Sequence, residues 1–261
     1  MQLRRATIAD PTAFLPTADA VAKLGAALIV AVIAFLSRDP VTPAVLLGGI
    51  ALAIPGTGMR ARDLARLLGP LVVAAVLLGV LNALLAGTAA VTPGGGATGR
   101  VWVGLALGLR IAAIALASSL ALATTDPADL ASGLIAHLRF PPRLAIGALA
   151  SLRMAPILAT EWSTIALARR ARGVDSGRNP LVAMRLALGA LLILLVSAIR
   201  RASRMALAMD ARGFASGIPR TLARPPRMRR PDWLLLGAAV ILGAGAVTIS
   251  VALGTYVFLL G

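Results

Sequence analysis

Long apolar runs, separated by short polar segments, dominate this chain of 261 residues. A bilayer core requires about 20 apolar residues for each helical span, and five of the runs reach or approach that length. These runs are residues 20–36, 41–55, 67–87, 101–123 and 233–260. The pattern therefore predicts an all-α integral membrane protein with about five transmembrane helices.

The arginines between these runs predict the orientation of the chain. Arg4 and Arg5 precede the first run, and Arg60, Arg62 and Arg66 lie in the loop between the second and the third. Because loops rich in Lys and Arg stay in the cytoplasm, we expect a cytoplasmic N-terminus. Five crossings then place the C-terminus outside.

Two further apolar segments, near residues 144–160 and 181–199, are interpreted differently. A charge and a proline interrupt the first, and the uncharged run Leu186–Ile199 in the second has only 14 residues. Both fall short of a span, so we predict long helices that lie along or beneath the membrane. The predicted organisation is a cytoplasmic N-terminal tail (1–19), four transmembrane helices (20–124), a cytoplasmic helical domain (125–231) and a C-terminal transmembrane helix (232–261).

Positive charge is concentrated in this predicted cytoplasmic domain. The formal net charge of the chain is +16, and residues 161–231 contain fourteen arginines against three acidic residues. Such a basic segment beside a membrane has three interpretations: the usual cytoplasmic bias, adhesion to anionic lipid, and docking onto an acidic protein surface. Composition is compatible with all three.

A repeated sequence in the same domain favours docking. Residues 166–177 and 206–217 are identical at eight of twelve positions, and each copy contains an Ala-Arg-Gly tripeptide. The tripeptides are Ala171, Arg172 and Gly173 in the first copy, and Ala211, Arg212 and Gly213 in the second. We predict that two long helices, Arg143–Arg172 and Leu181–Arg212, end there. One such ending is an ordinary helix cap, but two on one membrane face suggest two equivalent binding sites for a partner.

Further segments accompany the repeat: Asp19-Ala-Val-Ala-Lys23-Leu24, Thr124-Thr125-Asp126-Pro127, Pro142-Arg143-Leu144 and Leu152-Arg153-Met154-Ala155-Pro156. Together with the two tripeptides, they resemble the T components of energy-coupling factor transporters, which import vitamins and metal ions in prokaryotes. The resemblance covers nearly the whole chain. Val21 departs from the family pattern, which usually has a basic residue at this position.

The resemblance implies a non-catalytic coupling subunit of an ABC-type importer in the plasma membrane. In that family each Ala-Arg-Gly tripeptide ends a cytoplasmic coupling helix and docks into a groove on one of two ATPase subunits. A separate small membrane subunit captures the vitamin or metal ion. Membrane lipid surrounds the spans, and no nucleic acid is implied as a partner.

Residues that support catalysis or bind cofactors are scarce. The chain has no cysteine, and its one lysine, Lys23, does not follow a glycine-rich phosphate-binding loop. The one histidine, His137, lacks companions for a metal site, and the acidic pair Asp126 and Asp129 suits the start of a helix. We therefore expect no catalytic residue, no cofactor and no metal. A basic scaffold that binds anionic lipid without a transport role is the alternative, although it leaves the repeat unexplained.

One charge lies within a predicted span. Arg110 is about ten residues inside the fourth apolar run, where an ionisable group is unfavourable unless it is paired. The predicted spans offer no second charge with which it could form a relay. We expect Arg110 to have a structural partner within the bundle.

Overall fold

The computed structural model describes residues 13–85, 96–174, 177, 179–214 and 228–255. Within these ranges the chain forms nine α-helices, with a 3-10 turn at Ile54–Thr57 after the third. The helices are α1 Phe14–Thr17, α2 Ala20–Leu36, α3 Val41–Ala53, α4 Ala61–Leu85, α5 Gly96–Thr124, α6 Pro127–His137, α7 Pro142–Ala171, α8 Pro180–Ala211 and α9 Arg230–Ala252. The predicted all-α fold is confirmed. Most of the predicted tail and the last residues of the fifth predicted span lie outside the described residues.

The chain divides into two compact units. The first consists of Met1–Arg139 and Pro226–Gly261, and the second of Phe140–Pro225. Helix α6 belongs to the first unit because it packs against α2. These units are defined by packing, so the division into membrane and cytoplasmic segments stays a prediction.

In the first unit, the helices that correspond to the five predicted spans pack around one apolar core. The core receives side chains from α2, α3, α4, α5 and α9. Its buried members are Val30, Ala34, Leu46, Ile50, Leu68, Ala113, Ala117, Leu120 and Ala246. Most are small or medium in size, which lets the helices approach closely, as is typical of helix packing within membranes.

Contacts at the two ends of this bundle give the directions of three helices. At one end, the Lys23 Nζ atom of α2 donates a hydrogen bond to the Thr124 carbonyl oxygen that ends α5, at 2.9 Å. At the other end, the Ser250 hydroxyl of α9 donates to the Asp39 carboxylate between α2 and α3, at 2.7 Å. Helices α2 and α9 therefore run one way and α5 runs the other, as successive crossings of one bilayer require.

Glycines bring α4 and α5 into close contact. A Cβ atom added at Gly79 would lie 2.9 Å from the carbonyl oxygen of Gly104 and 3.2 Å from the Cα atom of Gly108. Only hydrogen-sized side chains fit at this crossing. The Gly104 and Gly108 pair is the G-x-x-x-G pattern of α5, so here this sequence signal does mark a close helix contact.

Five described helices are long and apolar enough to cross a membrane: Ala61–Leu85, Gly99–Thr124, Pro142–Ala171, Pro180–Ala211 and Arg230–Ala252. Helices α2 and α3 are apolar but shorter. The total agrees with the predicted five spans, but the set differs, because length and composition select α7 and α8 in place of α2 and α3. Packing agrees with the set predicted from sequence, because α2 and α3 contribute buried side chains to the same core as α4, α5 and α9.

The second unit consists mainly of α7 and α8. Their bounds, Pro142–Ala171 and Pro180–Ala211, agree within one residue with the predicted helices. Pro156 lies inside α7 without ending it. Helix α8 begins where the Asn179 side chain accepts a hydrogen bond from the Leu181 amide at 3.0 Å, which is an ordinary N-terminal cap.

Candidate partner-binding helix endings

The first Ala-Arg-Gly tripeptide forms a tight end to α7. The Gly173 amide donates to the Arg170 carbonyl at 2.9 Å, and the Val174 amide donates to the Arg169 carbonyl at 3.0 Å. Gly173 has a φ of 74°, in the left-handed region where residues with a Cβ atom are strained. These are the two hydrogen bonds and the left-handed glycine of a Schellman motif, with Arg172 as the cap residue.

The second tripeptide ends α8 with the same backbone geometry. The Gly213 amide donates to the Asp210 carbonyl at 2.9 Å, and the Phe214 amide donates to the Met209 carbonyl at 3.1 Å. Gly213 has a φ of 72°, and Arg212 occupies the cap position. The dihedral angles of the two cap arginines agree, at φ −92° and ψ 9° for Arg172 and φ −88° and ψ 12° for Arg212. Both copies of the repeat therefore end a helix with the same backbone geometry.

Both endings are open to a partner. All six tripeptide residues are exposed, and a Cβ atom at Gly173 would contact nothing within 4 Å. Among the described residues, neither Arg172 nor Arg212 forms an ion pair with a carboxylate. An exposed guanidinium is able to bind a carboxylate through two hydrogen bonds at once.

The two endings lie at opposite ends of α8, because α7 and α8 pack in antiparallel directions. Near the end of α7, the Arg169 guanidinium donates to the Leu186 carbonyl close to the start of α8. Further back in α7, Glu161 accepts from the Ser197 hydroxyl, further along α8, at 2.6 Å. The axial distance from Gly189, which lies beside Arg169, to Arg212 is about 35 Å at roughly 1.5 Å per residue.

Comparison with known sequences places the chain in a family. The sequence profile of CbiQ, the cobalt transport protein, matches residues 12–221. The chain belongs to the CbiQ family. The matched segment includes both helix endings.

Relatives of this CbiQ family member include proteins named energy-coupling factor transporter transmembrane protein EcfT. The one from Brevibacillus brevis is 31% identical over 251 residues, which cover 88% of this chain and 91% of the relative. The one from Lacticaseibacillus paracasei is 40% identical over 86 residues, 33% of each chain. The one from Thermanaerovibrio acidaminovorans is 29% identical over 156 residues, 57% of this chain and 58% of the relative. The match thus spans less than two thirds of the latter two relatives and nearly all of the first, and the resemblance inferred from sequence is confirmed.

The remaining residues singled out by sequence have partners inside the first unit. Asp126 caps α6 by accepting from the Ala128 amide at 2.8 Å, as predicted. The His137 Nε2 atom lies 3.5 Å from an Asp19 carboxylate oxygen. No group of three or more metal-ligating side chains occurs among the described residues. His137 thus joins α6 to the start of α2.

Arg110 has the partner within the bundle that its position predicts, since its guanidinium donates to the Ser37 carbonyl. A buried carboxylate, Asp39, lies at the same end of the bundle, between the first two predicted spans. Burial raises the pKa of the Asp39 carboxyl. The hydrogen bonds that the carboxylate accepts from Ser37, Thr42 and Ser250 lower the pKa by more than burial raises it, so the pKa lies below its usual value. The sequence alone does not single out Asp39.

Asp232 is the second buried carboxylate that sequence analysis missed. Its two oxygens accept from the Asp19 amide and the Arg229 amide, each at 2.7 Å. Asp232 is 2% exposed. It therefore joins the starts of α2 and α9. The segment that begins at Asp19, one of those on which the family resemblance rests, has a structural role at this junction.

Proposed function

We propose that this CbiQ family member is the transmembrane coupling subunit of an energy-coupling factor importer. Two ABC-type ATPase subunits bind its two Ala-Arg-Gly endings. Movement that follows ATP binding and hydrolysis passes through α7 and α8 to a small substrate-binding membrane subunit, which carries a vitamin or a metal ion. The chain itself supplies no catalytic residue.

One observation carries this proposal: two exposed arginines occupy equivalent positions at two equivalent helix endings. Two identical binding elements suit two identical or homologous partners. Their placement at opposite ends of α8 suits a pair of subunits side by side. The fold of the first unit supports the proposal, because its helices pack around one core as a membrane anchor.

The orientation of the chain follows from the same reasoning. ATPase subunits are cytoplasmic, so both endings must face the cytoplasm, and α8 then does not cross the membrane. Five crossings by α2, α3, α4, α5 and α9 place the N-terminus in the cytoplasm and the C-terminus outside, in the plasma membrane of a prokaryotic cell.

Charge reversal at the two cap arginines tests the proposal. The chain is expressed with ATPase subunits from the same genome, carrying Arg172→Glu, Arg212→Glu or both. Truncating one partner of a desolvated charge pair typically costs about 2–5 kcal/mol, and reversal adds repulsion. We expect each single variant to lower ATPase copurification at least tenfold and the double variant to abolish it, while insertion into the membrane persists.

Arg200→Glu with Arg204→Glu is the matched control. Both residues are exposed arginines of α8 outside the repeat, so they alter net charge equally without touching an ending. The lipid-scaffold alternative predicts equal effects of both pairs on membrane adhesion and none on copurification in detergent. If the control pair weakens copurification as much as the Arg172 and Arg212 pair, or if the latter has no effect, the docking proposal is wrong.

A further inference from the structure

Glu161 connects α7 to α8 through both of its carboxylate oxygens. The Ser197 hydroxyl donates to Oε1 at 2.6 Å, and the Arg201 Nη2 atom lies 3.6 Å from Oε2. Glu161 is the only acidic residue of α7. Its two partners are four residues apart on α8, so one carboxylate contacts two successive turns of the facing helix.

A second polar contact joins the same helices nearer to the first ending. The Arg169 guanidinium donates to the Leu186 carbonyl, and a Cβ atom at Gly189 would lie 3.1 Å from the Arg169 Nη2 atom. Along α7 the two contacts are eight residues apart, about 12 Å at 1.5 Å per residue. Two separated contacts of this kind define the angle at which two rods cross.

Apolar packing between the two helices is sparse. The buried residues of α8 are Ala190 and Leu194, and the one buried residue of α7 is Ala145. Helices that share a broad apolar face are aligned by interlocking side chains, but α7 and α8 lack such a face among the described residues. Their crossing angle therefore depends on the polar contacts.

We propose that Glu161 is a positioning residue that fixes the crossing angle of α7 and α8, and with it the relative placement of the two Ala-Arg-Gly endings. The inference rests on the proposed function. From Glu161 to Arg172 the arm along α7 is about 16 Å, and from Ser197 to Arg212 the arm along α8 is about 22 Å. Rotating either helix by about 10° around this contact therefore moves its ending sideways by roughly 3–4 Å, enough to change how two docked subunits face each other.

Spin labels report the crossing angle, because the chain has no cysteine and labels can be placed singly. Ala148→Cys and Ala208→Cys place labels at exposed positions on the same side of the Glu161 contact, where the distance between the antiparallel helices follows their crossing angle. Pulsed electron-electron distance measurements on the full chain, purified without ATPases, should give one narrow distribution. Glu161→Ala and Ser197→Ala should each shift its mean by about 3 Å or more, or double its width.

Two comparisons separate positioning from a general loss of structure. Ser163→Ala is the matched control, since the Ser163 hydroxyl bonds the Thr160 carbonyl of its own helix at 2.7 Å, and it should leave the distribution unchanged. Glu161→Gln keeps an oxygen that accepts from Ser197 and should restore most of the narrow distribution. Where Glu161→Ala yields no folded protein, Ser197→Ala gives the same readout.

The assembled complex gives the functional readout. Glu161→Ala should retain ATPase copurification to within about threefold, because both arginines remain, yet lower ATP hydrolysis by the complex at least fivefold. An unchanged distance distribution in both Glu161→Ala and Ser197→Ala overturns the positioning role. A changed distribution, combined with Arg172 and Arg212 variants that copurify normally, instead overturns docking alone.

Discussion

At the scale of single residues, the two glycines that follow the cap arginines decide whether the endings form. Gly173 and Gly213 have φ angles of 74° and 72°, and a residue with a Cβ atom there costs about 1–2 kcal/mol. Gly173→Ala and Gly213→Ala should each weaken the final hydrogen bonds of their helix. Amide hydrogen exchange at Val174 or Phe214, which donate those bonds, should accelerate about fivefold or more.

Gly147→Ala is the control for this prediction. Gly147 lies inside α7, and a Cβ atom there would meet nothing within 4 Å, so alanine should leave exchange at the helix end unchanged or slower. If Gly173→Ala behaves like Gly147→Ala, the left-handed conformation is not required and the ending is not a fixed structure.

The role of a residue was predictable from sequence where its hydrogen-bond partner lies within a few residues. It was not predictable where the partner is distant in the chain. Asp126 caps a helix through an amide two residues away, and the Ala-Arg-Gly endings close within five residues. The Asp232 carboxylate instead meets the Asp19 amide 213 residues away, and Ser250 meets Asp39 211 residues away. No pattern within one segment indicates such pairs.

At the scale of elements, α4 and α5 approach each other backbone to backbone. Gly79→Leu would place a side chain against the Gly104 carbonyl and the Gly108 backbone. Overpacking of this kind typically costs about 1–3 kcal/mol. We expect a lower unfolding temperature and a lower yield of monodisperse protein in detergent, measured by circular dichroism and size-exclusion chromatography.

The same helix supplies the control. A Cβ atom at Gly69 would contact nothing within 4 Å, so Gly69→Leu makes the identical change of residue type at an open position. Equal destabilisation by both variants would mean that the α4 and α5 contact does not limit stability.

The apolar runs predict the bounds of a helix correctly only where the helix begins and ends with its run. Helix α2 is Ala20–Leu36, as its run predicts, because Asp19 caps it. Helix α4 begins at Ala61, six residues before its predicted start at 67, since Arg62 and Arg66 continue the helix beyond the apolar segment. Hydropathy gives the length of a span, whereas caps and backbone hydrogen bonds give the length of a helix.

At the scale of the whole molecule, there are two candidate sets of five membrane-spanning helices. Length and composition select α7 and α8 among the candidates, whereas charge, repeat and packing favour α2 and α3. The sets differ in one consequence that bears on function. If α8 crosses the bilayer, the two arginine endings face opposite compartments, and no pair of cytoplasmic ATPases binds both.

Sided labelling of single cysteines decides between them. Ala168→Cys and Ala208→Cys report the two endings, and Leu253→Cys, at an exposed position after α9, reports the opposite end of the bundle. With a membrane-impermeant maleimide, we expect Ala168→Cys and Ala208→Cys to react only in inverted membrane vesicles, and Leu253→Cys only in intact cells. Reaction of Ala168→Cys and Ala208→Cys from opposite sides of the membrane would contradict the coupling role, because the two endings would then never meet partners in the same compartment.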